Sequence, residues 1–246
     1  MTHSVFRKNG DLVEITECEK EPSKVRLYTP RKRRLIYGAR RPDNVSRTKQ
    51  ICLRRVFAGI AAFGAPLLVT LTFKGDASDA AYANDSLRVF QVRLRNKFIG
   101  AESIFIPELS PKGRIHFHGF IFGVPLSLGD TREGRRTISI GDERKTRVLS
   151  GLWGEGYVDA TKTDGSRRLA YYISKYVTKC GSNVMFNAMR MIRVSKGIPR
   201  DTVIRGEFAD YLRQRYADEK IPERYWEGEN MFLGKVSKTT YIEEKT

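Results

Sequence analysis

Apolar positions follow helical spacing in some stretches and strand spacing in others, which predicts a chain of mixed helices and strands. Leu53, Val56, Phe57, Ile60 and Phe63 have helical spacing and predict a helix over about 49–63. After Gly64-Ala65-Pro66, residues 67–73 form an apolar, β-rich run of strand length. The uncharged stretch 56–73 is long enough to suggest a membrane span. The Gly and Pro within it favour a helix, a turn and a buried strand instead.

A β-hairpin is predicted over residues 103–122, because two apolar runs flank the turn-forming sequence Ser110-Pro111-Lys112-Gly113. An amphipathic helix over about 86–98 precedes it. Other segments have weaker patterns, and we expect short strands at 13–15, 25–28 and 189–194, a strand after Trp153, and helices near 141–151, 167–180 and 208–216. No structure is assigned to residues 225–246.

The length of 246 residues is enough for one large domain, or one domain with extensions. We expect a basic N-terminal extension over 1–48, a central domain over 49–200, and a C-terminal helix and tail over 201–246 that packs on the same domain. The extension contains the basic clusters Arg31–Arg34 and Arg40-Arg41. Such clusters bind a nucleic-acid backbone or simply form a solvated surface.

The formal net charge is +17 and the sequence pI is about 9.9. Basic residues are spread over most of the chain, so a polyanionic partner is expected, and nucleic acid is the first candidate. The alternative is a basic protein whose charge only keeps it soluble. Three cysteines without a C-x-x-C motif fit neither a disulfide framework nor a zinc ribbon. A reducing cytoplasm is the simplest setting, and residues 1–10 lack the apolar core of a secretory signal.

Two histidines lie one residue apart in the second strand of the predicted hairpin. His116 and His118 would project from the same face with Cα atoms roughly 6.7 Å apart, which allows two imidazoles to bind one divalent ion. If the register pairs Glu108 with His116, the carboxylate completes the site; a shift of one residue removes it. Such a set suits Mg²⁺ or Mn²⁺. The alternative is two hydrogen-bonded histidines on a half-buried sheet face.

The predicted helix at 167–180 contains two overlapping Tyr-x-x-Lys units, Tyr172 with Lys175 and Tyr176 with Lys179. Residues four apart lie on one helix face, so the two tyrosines are neighbours. A phenol with a pKa near 10 needs cationic neighbours or a polarised target before it attacks a phosphodiester. The lysines could provide that field or accept the proton. The alternative is an amphipathic helix with tyrosines at its core edge, an interpretation that suits Tyr171 best.

Three motifs in order, Val69-Thr70-Leu71-Thr72-Phe73, His116-Phe117-His118 and Tyr172-x-x-Lys175-Tyr176-x-x-Lys179, resemble those of the HUH (His-hydrophobic-His) endonucleases over about residues 66–180. The chain is most similar to the tandem-tyrosine rolling-circle initiators of small isometric single-stranded DNA phages, the microviruses. The resemblance implies a ferredoxin- or palm-like α+β domain, with the histidines on a central antiparallel strand and the tyrosines on an adjacent helix.

The resemblance also implies that Tyr172 or Tyr176 attacks a specific phosphodiester at a replication origin, leaving a 5′-phosphotyrosine and a free 3′-OH. Host helicase and DNA polymerase are the expected partners, since no G-x-x-x-x-G-K-[ST] motif indicates a fused helicase. The expected location is the bacterial host cytoplasm. Four basic residues near the motifs are candidates for DNA contact: Lys112, Arg114, Arg167 and Arg168. A relaxase, a single-strand transposase and a non-catalytic single-stranded DNA-binding protein remain alternatives.

Overall fold

The computed structural model describes residues 2–21, 40–75, 77–128, 132–133, 136–137, 143–186, 189–230 and 232–243. The predicted strand at 25–28 and the basic cluster at 31–34 lie outside them. The chain divides into a central unit, Ile36–Pro199, and a terminal unit, which joins Met1–Leu35 to Arg200–Thr246. Both units contain a five-stranded antiparallel sheet, and the fold is α+β as expected.

Five helices and twelve strands are present in the described residues. The helices are α1 (Pro42–Phe63), α2 (Ala80–Lys97), α3 (Glu143–Trp153), α4 (Arg168–Ser182) and α5 (Glu207–Glu219). The strands are β1 (His3–Asn9), β2 (Leu12–Cys18), β3 (Leu67–Phe73), β4 (Glu102–Leu109), β5 (Ile115–Phe122), β6 (Arg132–Glu133), β7 (Arg136–Thr137), β8 (Gly156–Lys162), β9 (Arg193–Val194), β10 (Thr202–Arg205), β11 (Arg224–Asn230) and β12 (Gly234–Ile242).

The helix, turn and strand predicted across the uncharged stretch are confirmed, because α1 ends at Phe63 and β3 begins at Leu67. Within the described residues, no helix combines the length and apolarity that a membrane crossing requires. Two helices begin earlier than predicted. Pro42 suits the first turn of α1 because it lacks an amide hydrogen. The Asp79 carboxylate accepts hydrogen bonds from the first amides of α2, at 2.7 Å for Ala81.

The central sheet has the strand order β8-β3-β5-β4-β9, so the histidine strand β5 is its third strand. One face packs against α2 and α3, where Trp153 contacts the rings of Phe73, Phe90 and Phe117. Gly119 is needed in β5, because an added Cβ would lie 2.2 Å from the Ile104 carbonyl oxygen. The strand predicted at 189–194 is shorter than expected, since only Arg193 and Val194 pair with β4.

The other face of the central sheet lies beneath α1 and α4. These two helices approach closely at Gly181, where an added Cβ would lie 2.5 Å from the Val45 side chain. The ring of Tyr171 meets Phe57 of α1 edge to face, with centroids 6.4 Å apart. Tyr171 is therefore in contact with the neighbouring helix, which agrees with its packing interpretation.

The terminal unit joins both ends of the chain in one sheet, with the order β10-β1-β2-β12-β11. The sequence treats these ends as separate extensions, but β2 pairs with β12 along its whole length. Helix α5 covers one face of the sheet, over a core formed by Phe6, Val13, Ile15, Ala209 and Tyr241. The tail without an assigned structure thus contains the hairpin β11–β12.

All three cysteines, Cys18, Cys52 and Cys180, are buried and free, consistent with the absence of a disulfide framework.

Candidate metal centre and tyrosine pair

The hairpin of β4 and β5 pairs Glu108 directly with His116, which is the register that the metal-site hypothesis requires. On the other side of β5, strand β3 pairs Thr72 with His116 and Thr70 with His118. Directly paired residues project from the same face, and so do alternate residues of one strand. The structure therefore brings the two histidines, the glutamate and two threonines together on the sheet face beneath α1 and α4.

Each histidine has a threonine partner at Nδ1. The Nδ1 atom of His116 lies 3.1 Å from Oγ1 of Thr72, and that of His118 lies 3.2 Å from Oγ1 of Thr70. A hydroxyl both donates and accepts, so it supports either tautomer of the ring. When Nδ1–H donates to the threonine, the lone pair of Nε2 is left for a cation. This is the arrangement in which a second residue orients a metal-binding imidazole.

The pKa of both histidines is lowered, which favours the neutral form that binds metals. Burial is the main cause at each ring, and the nearby Glu108 carboxylate opposes it. Arg114 further lowers the pKa of His116. For His118, the positive charge of Lys179 acts in the same direction, as does His116.

Glu108 has hydrogen-bonding partners at both carboxylate oxygens. Oε2 lies 2.6 Å from Nε2 of His118, and Oε1 lies 2.6 Å from Nζ of Lys179. Within the described part of the chain, no three His, Cys, Asp or Glu side chains are already spaced to hold a metal ion. Two ligands at right angles around Mg²⁺ are about 3.0 Å apart, given bonds of about 2.1 Å. The donor set therefore fits a divalent cation in chemistry, and Glu108 needs to move by a few tenths of an ångström.

Helix α4 places the paired tyrosines against this cluster. The Tyr176 ring stacks on the His118 imidazole, with centroids 4.1 Å apart and planes inclined by 18°. The hydroxyl oxygens of Tyr172 and Tyr176 are 3.1 Å apart. Because Tyr176 contacts a histidine and its hydroxyl contacts Tyr172, both phenols lie beside the candidate metal ligands.

The two lysines of the Tyr-x-x-Lys units are placed differently. Lys179 contacts Glu108, and its ammonium lies 5.2 Å from the centre of the Tyr176 ring. Lys175 is exposed on α4. The structure thus brings Lys179 into the cluster, while Lys175 remains a candidate through its sequence position.

The four predicted DNA-contacting cations are placed next to the site elements. Lys112 is in the turn before β5 and Arg114 directly precedes that strand, close enough for its charge to affect His116. Arg167 and Arg168 lie at the beginning of α4, the helix that carries the tyrosines. Each pair of cations therefore adjoins an element that carries candidate site residues.

Thr70 and Thr72 were quoted in the sequence motif without a role, and their contacts with the histidines give them one. The signal was available, since both threonines alternate with apolar residues in β3 as the histidines do in β5. Two further residues were missed: β8 pairs Asp159 with Thr70 and Tyr157 with Thr72. Both lie on the face of the histidines, and Tyr157 is 66% exposed.

Residues 66–181 match the model of a family described as replication-associated protein ORF2. No curated protein and no solved structure matches the chain. The matched segment runs from the residue before β3 almost to the end of α4, so it contains every residue of the metal and tyrosine cluster. This segment is therefore similar to replication-associated proteins, and the match supports a rolling-circle replication initiator.

Proposed function

We propose that the protein is a metal-dependent endonuclease that nicks and rejoins single-stranded DNA at a specific site to initiate rolling-circle replication. The proposal includes the HUH type of site, with tandem tyrosines as in the microvirus initiators. One observation carries it: the Tyr176 ring lies 4.1 Å from His118, so the candidate nucleophiles adjoin the candidate metal ligands. Neither part alone would distinguish an active site from ordinary packing.

His116, His118 and Glu108 would hold Mg²⁺ or Mn²⁺ through two imidazole nitrogens and one carboxylate. A cation held there would polarise the non-bridging oxygens of the scissile phosphate. Thr70 and Thr72 would orient the imidazoles, and Lys179 is positioned to offset negative charge near Tyr176. This arrangement explains why the two histidines alternate with buried apolar residues, which fix the strand in place.

In the cleavage step, the phenolic oxygen of Tyr172 or Tyr176 attacks the phosphorus atom in line with the 3′ oxygen. The bond between phosphorus and the 3′ oxygen breaks as the tyrosine ester forms. The phenolic proton leaves to solvent or a neighbouring base, and the released 3′ oxygen gains a proton. The products are a 5′-phosphotyrosine and a 3′-OH that a polymerase can extend.

The proximity of the two phenols supports a mechanism in which they alternate. Their hydroxyls are 3.1 Å apart, so a small shift of the DNA would bring the same phosphate within reach of either one. A hydrogen bond from the neutral phenol stabilises the phenolate form of its neighbour. One tyrosine can then retain the cleaved strand while the other attacks the regenerated origin.

The strand polarity of the products tests this function. Synthetic single-stranded DNA from the parent replicon is labelled at its 5′ or 3′ end and incubated with protein and Mn²⁺. We expect the 3′-labelled fragment to remain attached to protein, and the 5′-labelled fragment to be released and extended by a polymerase. Attachment of the 5′-labelled fragment would overturn the proposed chemistry.

The same assay separates the alternatives. A non-catalytic DNA-binding protein would retard DNA covering the whole replicon and cleave none of it. A relaxase or single-strand transposase shares the chemistry but would cleave at a transfer origin or element end instead of a replication origin. We further propose single-stranded origin DNA, a host helicase and a DNA polymerase as the partners of the active protein.

A further inference from the structure

A groove of about 350 Å³ lies beside Tyr172, which is the member of the tyrosine pair that does not stack on His118. Leu68 of β3 and Leu169 of α4 contribute apolar surface, and Thr161 of β8 is also part of the lining. This volume is near the lower end of the range for small-molecule sites, which suits one nucleotide better than several. None of these three lining residues belongs to the metal cluster.

Thr161 provides independent evidence that the groove binds a polar ligand. Its residue is 4% exposed, and its hydroxyl has no hydrogen-bond partner among the described residues. A buried hydroxyl without a partner costs free energy relative to a methyl group of the same size. Rotation about the Cα–Cβ bond would exchange the methyl and hydroxyl groups and turn the oxygen toward a ligand.

The charges around the groove fit a nucleotide with its phosphate at the rim. Lys162 and Arg168 are exposed cations in the lining, and Asp164 is the one carboxylate among the lining residues. The Asp164 carboxylate accepts a hydrogen bond from the Ser166 amide at 2.8 Å. Two cations against one carboxylate leave a positive rim around a largely apolar floor, which matches a phosphate attached to a base.

Spacing along α4 connects the groove to the nucleophiles. Arg168, Tyr172 and Tyr176 recur every four residues, so they follow one side of the helix at steps of about 6 Å. A strand whose scissile phosphate lies at the tyrosines would pass its adjoining nucleoside over the groove and its next phosphate toward Arg168. The order of side chains therefore corresponds to phosphate, nucleoside and phosphate along one strand.

We propose that this groove is the subsite for the nucleoside adjoining the scissile phosphate, with Thr161 as a hydrogen-bonding partner of its base. The proposal rests on the proposed endonuclease function and extends it to recognition of the strand beside the cleavage point. Thr161 and Lys162 then join Arg168 as DNA-contacting residues. The subsite would favour a base that presents a polar edge to the threonine hydroxyl.

Methyl NMR of the full chain in EDTA tests this subsite without any cleavage. The probes are dAMP, dCMP, dGMP and dTMP, titrated separately, followed by a single-stranded oligonucleotide containing the cleavage site. We expect at least one mononucleotide, and the oligonucleotide, to shift the methyl signals of Leu68 and Leu169 saturably. The Thr161→Val variant should weaken that binding about three- to tenfold, while Thr202→Val on β10 should leave it unchanged.

A thermal unfolding measurement accompanies the titration, because Thr161→Val removes an unpaired buried hydroxyl and should be at least as stable as the wild type. Unmoved leucine methyls, or equal affinity of Thr161→Val and wild type, would overturn the subsite. Shifts with mononucleotides but not with the oligonucleotide would also overturn it, as binding of free nucleotides only. If the methyls shift as expected but no covalent DNA adduct forms, the endonuclease function fails and the subsite stands.

Discussion

Two helices of this protein carry tyrosines over five-stranded antiparallel sheets, and the phenols have different surroundings. In the terminal unit, the Tyr216 ring of α5 packs edge to face on Phe6 and Tyr241, with centroids 5.4 and 5.3 Å apart. Its hydroxyl donates to Glu243. In the central unit, Tyr176 stacks on a histidine and its hydroxyl meets another phenol.

The difference shows what the packing alternative for a helical tyrosine looks like when it applies. Burial, followed by the hydrogen bond to Glu243, raises the pKa of Tyr216 and makes its phenolate harder to form. Tyr176 instead has the Lys179 ammonium 5.2 Å from its ring centre. A tyrosine that only packs is bonded to an anion, whereas the proposed nucleophile lies next to a cation.

Removal of the hydroxyls from both helices gives the largest expected contrast. The double variant Tyr172→Phe, Tyr176→Phe should lose covalent adduct formation by on the order of 10³-fold or more, because no phenol remains to attack. Tyr216→Phe is the matched control and should retain cleavage while its unfolding free energy falls by about 1–2 kcal/mol. Denaturing gels and thermal unfolding measure the two effects. Loss of cleavage in the properly folded control would remove the distinction between the helices.

The histidines provide the next contrast, between catalysis and binding. His116→Ala and His118→Ala should each reduce cleavage by about 10²-fold or more, because one cation ligand is lost. DNA binding measured by fluorescence anisotropy should change little, since the basic surface is intact. His3→Ala, in β1 of the terminal unit, is the control and should cleave normally. Parallel loss of binding and cleavage in the His116 and His118 variants would point to a structural role.

Glu108 should affect the metal requirement more than the maximal rate. The Glu108→Gln variant keeps the shape of the side chain but removes its charge, so we expect the Mn²⁺ concentration for half-maximal cleavage to rise about 10- to 100-fold. Excess Mn²⁺ should restore much of the rate. Glu102→Gln, at the other end of β4, is the control. An unchanged metal titration for Glu108→Gln would exclude the carboxylate from the ligand set.

The smallest of these effects should come from Thr72, which contacts a ligand instead of the cation. Thr72→Val removes the 3.1 Å contact with Nδ1 of His116 and preserves side-chain shape. We expect the metal requirement to rise about tenfold, the low end of the range for such orienting partners. Isothermal titration with Mn²⁺ measures it directly. An affinity equal to that of the wild type would show that the threonine does not orient the ring.

Local pattern predicted the elements of the central unit well, because each one buries an apolar stripe with a clear period. The bounds of β3 matched, and the pairing of Glu108 with His116 followed from the position of a four-residue turn. Longer-range contacts were not predictable in this way. The approach of Lys179 to Glu108 joins residues 71 positions apart, and only the packing of α4 beside β4 determines it.

The terminal sheet shows the other limit of pattern. Strand β12 contains the sequence Gly-Lys-Val-Ser-Lys-Thr-Thr-Tyr-Ile, in which polar residues occupy both faces and the alternation is weak. Its partner β2 lies more than 200 residues away, so no hairpin turn indicates the pairing. Thr161 was missed for a related reason, since an unpaired buried hydroxyl is visible only after the neighbouring strands and helix are in place.

Mapping of the covalent adduct tests the central claim most directly. Wild-type protein is incubated with single-stranded origin DNA and Mn²⁺, with and without EDTA, then digested with protease and nuclease and analysed by mass spectrometry. We predict a nucleotide linked to the peptide that contains Tyr172 and Tyr176, formed with Mn²⁺ and absent with EDTA. A nucleotide linked to any other peptide, or an adduct that forms equally in EDTA, would contradict the single metal and tyrosine site.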